Sequence, residues 1–249
     1  MVDIHSHILP GVDDGSQSMD TSIEMLLLSA GSGVDSVVAT PHCNIPGEYD
    51  NYAGPDMDRL WERLVREAQR ANVNVRLYRG MEVFATPELP ELLRDRQVWT
   101  INDTRYFLTE FSFGEDPEFC RKVLDRCLQD GFCPVIAHPE RYLFVQDDPQ
   151  IAFDWCVSGC ALQLNKGSFL GRFGPGPRIT AERLVEHGLA ACVASDAHSA
   201  YQRSTHFGEI RNYILDVFGE GYMELLLNEN PGRILRGDTL LGYEPIPFR

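Results

Sequence analysis

The chain has 249 residues, of which 43% are hydrophobic and 24% charged, so its composition excludes a disordered or collagen-like protein. Its 22 basic and 37 acidic residues give a formal net charge of −15. This argues against a protein held to nucleic acid or anionic lipid by a broad basic surface. There is no apolar run of about 18 residues to insert into a membrane, and the N-terminus lacks a signal-peptide pattern. The seven cysteines form an odd set without a Cys-x-x-Cys pair, so we expect a cytoplasmic protein with reduced thiols.

Short β-rich runs alternate with longer helical patterns, without an internal repeat or a low-complexity segment. The β-rich runs predict seven strands, at Val2–His5, Ser36–Thr40, Val75–Met81, Tyr106–Glu110, Pro134–Ala137, Ala161–Leu164 and Ala191–Ser195. The predicted helices are Met19–Ser32, Asp56–Ala71, Pro117–Gln129, Pro149–Val157, Thr180–His187, Thr205–Phe218 and Gly221–Asn228. Gly131 and Gly188 stand where two of these helices should end.

The alternation of strands and helices predicts an α/β fold with parallel strand pairing. Seven such units favour a closed barrel over an open sheet, because neither a Gly-x-Gly-x-x-Gly motif nor a Walker loop occurs. We therefore predict one domain over residues 1–241, a seven-stranded (β/α)7 TIM-like barrel. Residues 242–249, which include two prolines, are predicted to be a C-terminal tail.

Side chains that can bind metal follow six of the seven predicted strands, always at the C-terminal end. In a parallel barrel these ends meet at one face, where such enzymes build their active sites. Imidazole mixed with carboxylate favours Mn, Zn or Fe over Ca or Mg. The set is too large for one ion and suits two or three. The nine candidate ligands are His5, His7, Asp14, His42, Glu82, Glu110, His138, Asp196 and His198.

Each of these motifs has a simpler explanation when it is taken alone. A His-x-His pair can be a core or surface pair, and Ser195-Asp-Ala-His198 can be a turn or a helix cap. The metal site is favoured because the pattern recurs at six strand ends. His5 and His7 also alternate correctly for two side chains on one strand face, so both can bind one ion.

Several motifs resemble those of a known superfamily, in matching order and spacing. The chain resembles the polymerase and histidinol phosphatase (PHP) superfamily at five motifs: Asp3-Ile-His-Ser-His7, Thr40-Pro-His42, Gly80-Met-Glu82, Ala137-His-Pro-Glu-Arg141 and Ser195-Asp-Ala-His198. A closer resemblance, to bacterial metal-dependent tyrosine phosphatases of the CpsB/YwqE type, lies in His7-Ile-Leu-Pro-Gly-Val-Asp-Asp-Gly15, Thr109-Glu-Phe111 and His138-Pro-Glu-Arg141. It extends from Met1 to about Leu241. Cys43 and Ser6 depart from residues common in this family, but neither is a candidate ligand.

The resemblance implies a distorted barrel that holds three divalent metal ions, commonly Mn²⁺, with Fe or Zn as alternatives. The nine candidates fall on the family's metal-ligand positions, and Arg141 and Arg203 fall on its phosphate-binding positions. The implied activity is hydrolysis of protein phosphotyrosine, especially on the tyrosine-rich tail of a bacterial tyrosine kinase that controls capsule or exopolysaccharide synthesis. Neither a nucleic-acid partner nor membrane insertion is expected.

Phosphate monoesters hydrolyse with charge on the equatorial oxygens and an in-line nucleophile. Our hypothesis is that a metal-bridging hydroxide attacks phosphorus, while Arg141 and Arg203 neutralise the phosphoryl oxygens. Phenolate is a good leaving group, so a general acid matters less than it does for a serine ester. Asp196 and His198 are the candidates if a proton donor is needed.

Three alternatives remain at this stage. The same site would suit a phosphatase for a small ester such as histidinol phosphate, or a PHP phosphodiesterase. A nucleic-acid phosphodiesterase would be helped by a basic track, which the net charge of −15 does not suggest. The third is a metal-bearing regulator without catalysis, against which the full ligand set and both arginines argue.

One motif points to a different phosphatase chemistry. Cys120-Arg-Lys-Val-Leu-Asp-Arg126 has the Cys-x5-Arg spacing of thiol-dependent tyrosine phosphatases. Those enzymes need a loop of inward-pointing backbone N–H groups at a helix N-terminus. The stretch here has no glycine and predicts a helix interior, with Val123 and Leu124 on the apolar face. We therefore expect Cys120 to face the core.

Overall fold

The computed structural model describes residues 1–242 and 244–248. The strands are β1 Val2–Ser6, β2 Ser36–Ala39, β3 His42–Cys43, β4 Arg76–Arg79, β5 Glu82–Phe84, β6 Tyr106–Glu110, β7 Cys133–Ala137, β8 Ala161–Asn165 and β9 Ala190–Ala194. The helices are α1 Met19–Gly31, α2 Pro55–Arg70, α3 Leu89–Arg94, α4 Pro117–Gln129, α5 Leu143–Asp147, α6 Gln150–Ser158, α7 Lys166–Phe169, α8 Pro175–Glu186, α9 Gly208–Phe218, α10 Glu220–Glu224 and α11 Asn230–Arg236. Short 3-10 turns lie at Ile101–Asp103 and Pro139–Arg141, and a π turn lies at Leu225–Glu229.

The strands pair in parallel in two groups, in the orders β1-β2-β4 and β3-β5-β6-β7-β8-β9. The second and third predicted strands are each divided, into β2 with β3 and β4 with β5, which explains nine segments for seven predicted strands. Pro41, which has no N–H group, lies at one of these breaks. The two divided strands stay paired with each other at the breaks, through backbone hydrogen bonds from Gly80 N to Ala39 O (2.9 Å) and from Glu82 N to Pro41 O (3.1 Å). The predicted barrel of parallel strands is confirmed.

The first strand meets the segment that follows the last one. Asp196 N donates to His5 O at 2.8 Å, and His7 N donates to Ala197 O at 2.9 Å. These bonds join the two ends of the strand order at the C-terminal side of the strands. Residues near both termini of the chain are thereby brought to the same face.

Local sequence signals explain several helix boundaries. Gly131 and Gly188 have φ values of +84° and +70° after α4 and α8, as expected of glycines that end helices. Helix α8 begins at Pro175, five residues before the predicted start, because proline fits the first helical turn. Helix α9 begins at Gly208 rather than at Thr205, whose hydroxyl instead donates to the Met25 carbonyl at 2.5 Å.

The buried apolar residues form two clusters. The larger one fills the space between the strands and the surrounding helices. The smaller one contains Leu108, which precedes Glu110 by two residues on β6 and so shares its strand face, and Ala194, which ends β9 two residues before Asp196. This cluster therefore lies beneath the candidate metal ligands.

The division at residue 241 stays a prediction. Within the predicted tail, residues 243 and 249 lie outside the described residues. Ile246 N donates to His187 O at 2.9 Å, and the Phe248 ring stacks on the His187 ring at 3.8 Å. In the part of the chain that the structure describes, no helix has both the length and the apolar character required to cross a bilayer.

Candidate metal centre and neighbouring arginines

The nine predicted ligands converge on one end of the barrel. His5 lies on β1, Glu82 begins β5, Glu110 ends β6, and His138 directly follows β7. His5, His7 and Glu82 are completely buried, whereas the Asp14 side chain is 50% exposed. Side-chain atoms of eight of the nine residues, all but His138, form three overlapping groups that could each hold an ion.

The most buried group consists of two histidines and two carboxylates. The Nε2 atoms of His5 and His7 are 3.3 Å apart, and they lie 3.1 and 3.2 Å from Glu82 Oε2. Both nitrogens are 3.5 Å from Asp196 Oδ1. Ligand atoms about 2.0–2.1 Å from a metal ion lie roughly 3.0–3.4 Å from one another, so these four atoms have the spacing of a coordination shell.

The other two groups share residues with the first. His7, Asp14, His42 and His198 form one group, in which His198 Nε2 is 3.2 Å from Asp14 Oδ1. His42, Glu82 and Glu110 form the other, with His42 Nδ1 3.2 Å from Glu82 Oε2 and 3.1 Å from Glu110 Oε1. His138 Nε2 lies beside this group, 3.0 Å from Glu82 Oε1. The structure therefore brings all nine residues together.

Several of these atoms are buried without a hydrogen bond. Glu82 Oε2, His42 Nδ1 and His198 Nε2 have no hydrogen-bond partner among the described residues. Each nevertheless lies 3.1 or 3.2 Å from an atom of another candidate ligand. A buried polar atom without a partner is costly unless something else satisfies it. Divalent cations bound in the three groups would satisfy these atoms, and imidazole with carboxylate suits Mn, Zn or Fe. The donor set thus fits the metal that the sequence predicts.

The ionisation of the cluster follows from its crowding. Burial alone would raise the pKa of Glu82, but His5 and His42 outweigh it and hold that pKa well below its usual value. Burial is likewise outweighed at Asp196, where His5, His7 and Arg203 lower the pKa. Both carboxyl groups are therefore ionised at neutral pH, as metal binding requires.

Two candidate ligands lie in strained backbone positions. His138 and Asp196 have φ values of +36° and +48°, in the left-handed region that non-glycine residues avoid. Such positions cost on the order of 1–3 kcal/mol and are concentrated at functional sites. Each follows the end of a strand, where the turn aims the side chain at the cluster.

A second layer of polar groups orients the histidines. His7 Nδ1 lies 2.8 Å from Asp13 Oδ2, and His5 Nδ1 lies 2.7 Å from Gln163 Oε1. These partners leave each Nε2 free to bind a metal ion. Sequence reasoning missed both roles. The position of Asp13 directly before Asp14 was the available signal, whereas Gln163 lies on β8, the strand that offers no strong ligand.

Arg141 and Arg203 meet the cluster at Asp196. Arg141 Nη1 lies 3.3 Å and Arg203 Nη2 2.5 Å from Asp196 Oδ2, which also accepts a bond from Asn165 Nδ2 at 2.6 Å. The other oxygen, Oδ1, faces His5 and His7. Asp196 therefore separates a metal-binding side from an arginine side. Arg141 and Arg203 are 18% and 32% exposed at their side chains, so both remain accessible from the barrel mouth.

The Cys-x5-Arg stretch forms part of helix α4, as predicted. Cys120 is completely buried, and burial raises its thiol pKa far above the usual value. Arg126 donates to Pro87 O at 2.8 Å and pairs with Glu91 at 2.5 Å. The stretch provides no phosphate-binding loop, so the prediction that Cys120 faces the core is confirmed.

The model of the family "Capsular polysaccharide synthesis, CpsB/CapC" matches residues 1–236. The chain belongs to the CpsB/CapC family. It is 34% identical to tyrosine-protein phosphatase YwqE of Bacillus subtilis over 252 aligned positions, which cover 100% of this chain and 97% of YwqE. It is 30% identical to tyrosine-protein phosphatase CpsB of Streptococcus pneumoniae, with 94% of this chain and 98% of that protein covered.

A solved structure from the same family has the same fold. It comes from work on YwqE of Bacillus subtilis and CpsB of Streptococcus pneumoniae, which are metal-dependent tyrosine phosphatases. It superposes with a TM-score of 0.93 at 33% identity and covers 100% of both chains. The resemblance of the sequence motifs to CpsB/YwqE proteins is therefore confirmed over the whole barrel.

Proposed function

We propose that this CpsB/CapC protein is a metal-dependent phosphomonoesterase that hydrolyses protein phosphotyrosine. The proposal rests on the contacts of the two Asp196 carboxylate oxygens. Oδ1 faces His5 and His7, and Oδ2 faces Arg141 and Arg203. Metal ligands and phosphate-binding donors then adjoin one another, as phosphoryl transfer requires. The names and the metal dependence of the relatives support this activity.

The nine ligands are proposed to hold three divalent ions, with Mn²⁺ the preferred metal and Fe or Zn as alternatives. The three overlapping groups support this number, and the mixed donor set supports the choice of metal. Bound divalent ions would add positive charge for the phosphoryl oxygens and lower the pKa of water.

The protein's own residues bind and orient the substrate. Arg141 and Arg203 donate to the phosphoryl oxygens that carry charge in the transition state. Asp196, which is ionised, holds both guanidinium groups and leaves its Oδ1 for metal. His198, whose pKa is lowered by burial and by His7, is neutral at pH 7 and suited to ligation. We therefore assign Asp196 and His198 to binding and positioning, and the phenolate leaves without a strong proton donor.

The proposed substrate is the tyrosine-rich tail of a bacterial tyrosine kinase that controls capsule or exopolysaccharide synthesis. The family name and its phosphatase members support the link to capsule synthesis. We also propose a cytoplasmic location, where such a tail would be present. The seven cysteines, all of which the structure describes, are unpaired, as expected in a reducing compartment.

The decisive experiment combines a substrate panel with metal analysis of the same sample. A phosphotyrosine peptide, a phosphoserine peptide and histidinol phosphate are compared after loading with Mn²⁺, Fe²⁺ or Zn²⁺. We expect the highest kcat/KM for the phosphotyrosine peptide and about three ions per chain. A preference for histidinol phosphate would instead support the small-molecule phosphatase. Full metal content without hydrolysis of any ester would support the regulator.

A further inference from the structure

Two aromatic side chains flank Arg141 and have no role in the metal site. The Arg141 guanidinium carbon lies 4.7 Å from the centre of the Phe113 ring and 4.3 Å from that of Phe173. A guanidinium group is attracted to the face of an aromatic ring, and two rings restrict it more than one. The orientation of Arg141 toward Asp196 thus depends on both phenylalanines.

The two rings differ in their surroundings. Phe173 is half-buried and packs against the backbone of Gly167, where an added Cβ would lie only 2.8 Å from Phe173 Cε2. Phe113 follows Glu110 by three residues and is 43% exposed. Its ring centre lies 6.1 Å from that of His138, at the mouth of the barrel. Of the two rings, Phe113 is therefore the one that combines contact with Arg141 and an open surface beside the candidate metal ligands.

We propose that Phe113 determines the preference for aryl over alkyl phosphate esters, whereas Phe173 only positions Arg141. The inference rests on the proposed function and adds the residue that recognises the leaving group. A phosphoryl group bound to Arg141 places its ester substituent near Phe113, because this ring contacts the guanidinium group and, unlike the half-buried Phe173, is exposed beside it. Offset or edge-to-face contact between aromatic rings is favourable, so a phenyl ester gains an interaction that an alkyl ester lacks.

The test uses phenylphosphonate and methylphosphonate, which are not hydrolysed, with the metal-loaded protein in a calorimeter. We expect the wild type to bind phenylphosphonate roughly three- to tenfold more tightly than methylphosphonate. Phe113→Leu should bring this ratio close to one. Phe173→Leu should weaken both probes by a similar factor and leave the ratio unchanged. Leu143→Ala is the control and should change neither affinity, because the Leu143 side chain is 58% exposed and its backbone N–H donates to Phe113 O at 2.8 Å.

Phe113→Tyr keeps an aromatic ring and should keep the ratio of phenylphosphonate to methylphosphonate affinity. A folded Phe113→Tyr protein with this ratio would show that the position tolerates substitution and that the ring itself sets the ratio. A ratio that survives in folded Phe113→Leu, or one that is lost in folded Phe113→Tyr, would overturn the inference. Kinetics provide the second readout, since Phe113→Leu should lower kcat/KM for a phosphotyrosine peptide more than for a phosphoserine peptide. Absence of phosphotyrosine hydrolysis in the wild type, with the phosphonate ratios as expected, would contradict the proposed function and not the role of Phe113.

Discussion

Two regions of the chain carry residues from which phosphatases build active sites: the C-terminal ends of the strands and helix α4. At the strand ends, residues that are up to 193 positions apart, such as His5 and His198, meet within one cluster. In α4, Cys120 and Arg126 have a familiar spacing, but the thiol is buried and the guanidinium pairs with Glu91. Spacing along a chain has chemical meaning only when the backbone conformation supports it. A helix turns Cys120 away from any phosphate, whereas parallel strands direct their ends to a shared face.

The largest expected effect separates the two regions directly. Removing metal with a chelator should lower activity on an aryl phosphate by about a thousandfold or more, because Lewis-acid stabilisation is worth several kcal/mol. Adding Mn²⁺ should restore activity. The measurement is turnover before and after chelation, with metal analysis. Undiminished turnover in metal-free protein would assign the chemistry to another region, including α4.

Glu82→Gln should have nearly as large an effect, because Glu82 belongs to two of the three ligand groups. We expect fewer bound ions and a loss of activity of at least about a hundredfold, as metal affinity depends on ionised ligands. Glu91→Gln is the matched control, since Glu91 is on the surface and pairs with Arg94 and Arg126. Equal metal content in both variants would refute the assignment of Glu82.

Arg141→Ala should weaken phosphate binding by roughly 10- to 100-fold, the value of one or two charge-assisted hydrogen bonds. Metal content should stay near that of the wild type, because no metal ligand is removed. Inhibition by inorganic phosphate measures the binding, and elemental analysis measures the metal. Arg126→Ala, which alters the arginine of the α4 motif, should not change phosphate inhibition. Weaker phosphate inhibition in Arg126→Ala would instead indicate that phosphate binds at helix α4.

The cluster also predicts how stability depends on pH. In the metal-free protein, burial opposes protonation of His7, but Asp13 outweighs it and raises the His7 pKa well above 6.5. His5 and His42 shift the same way beside Glu82, despite their burial. A raised folded-state pKa stabilises the protein below about pH 6.5, and this contribution is lost as the pH rises through the folded-state value.

We therefore expect the metal-free protein to be less stable near pH 9 than near pH 6, by roughly 1–3 kcal/mol. His198 offsets part of this, because burial lowers its pKa. The metal-loaded protein should show the opposite trend, since protons compete with metal for imidazole. Urea unfolding at both pH values measures the difference. A metal-free protein with equal stability at both would contradict the inferred protonation of the cluster.

Cys120→Ser should have the smallest effect on turnover, leaving kcat within about twofold of the wild type. Its effect should be on stability instead, with a loss of roughly 1–3 kcal/mol because a hydroxyl replaces a buried thiol. Urea unfolding and kcat are measured on the same preparation. Loss of turnover in a folded, metal-replete Cys120→Ser protein would revive the thiol mechanism.

The sequence predicted the barrel and the convergence of the ligands because both depend on periodic patterns and on the rule that strand ends share a face. It did not predict the divisions of two strands near Pro41 and Gly80, which depend on local hydrogen bonding between neighbours. Nor did it predict that Asp13 and Gln163 would support His7 and His5, because second-layer contacts depend on side-chain orientation. The left-handed backbone conformation of His138 and Asp196 could not be predicted either, because this conformation is usually adopted by glycine.

If Arg141 and Arg203 bind the phosphoryl group as proposed, their attachment to one oxygen of Asp196 has a consequence for the release of inorganic phosphate. Before substrate arrives, Asp196 occupies the donors that a phosphoryl group would use, so binding exchanges one anion for another rather than filling free sites. When the ester bond has been cleaved, the same carboxylate can reclaim both guanidinium groups. An internal competitor of this kind limits product affinity, and it holds Arg141 and Arg203 in place from one catalytic cycle to the next.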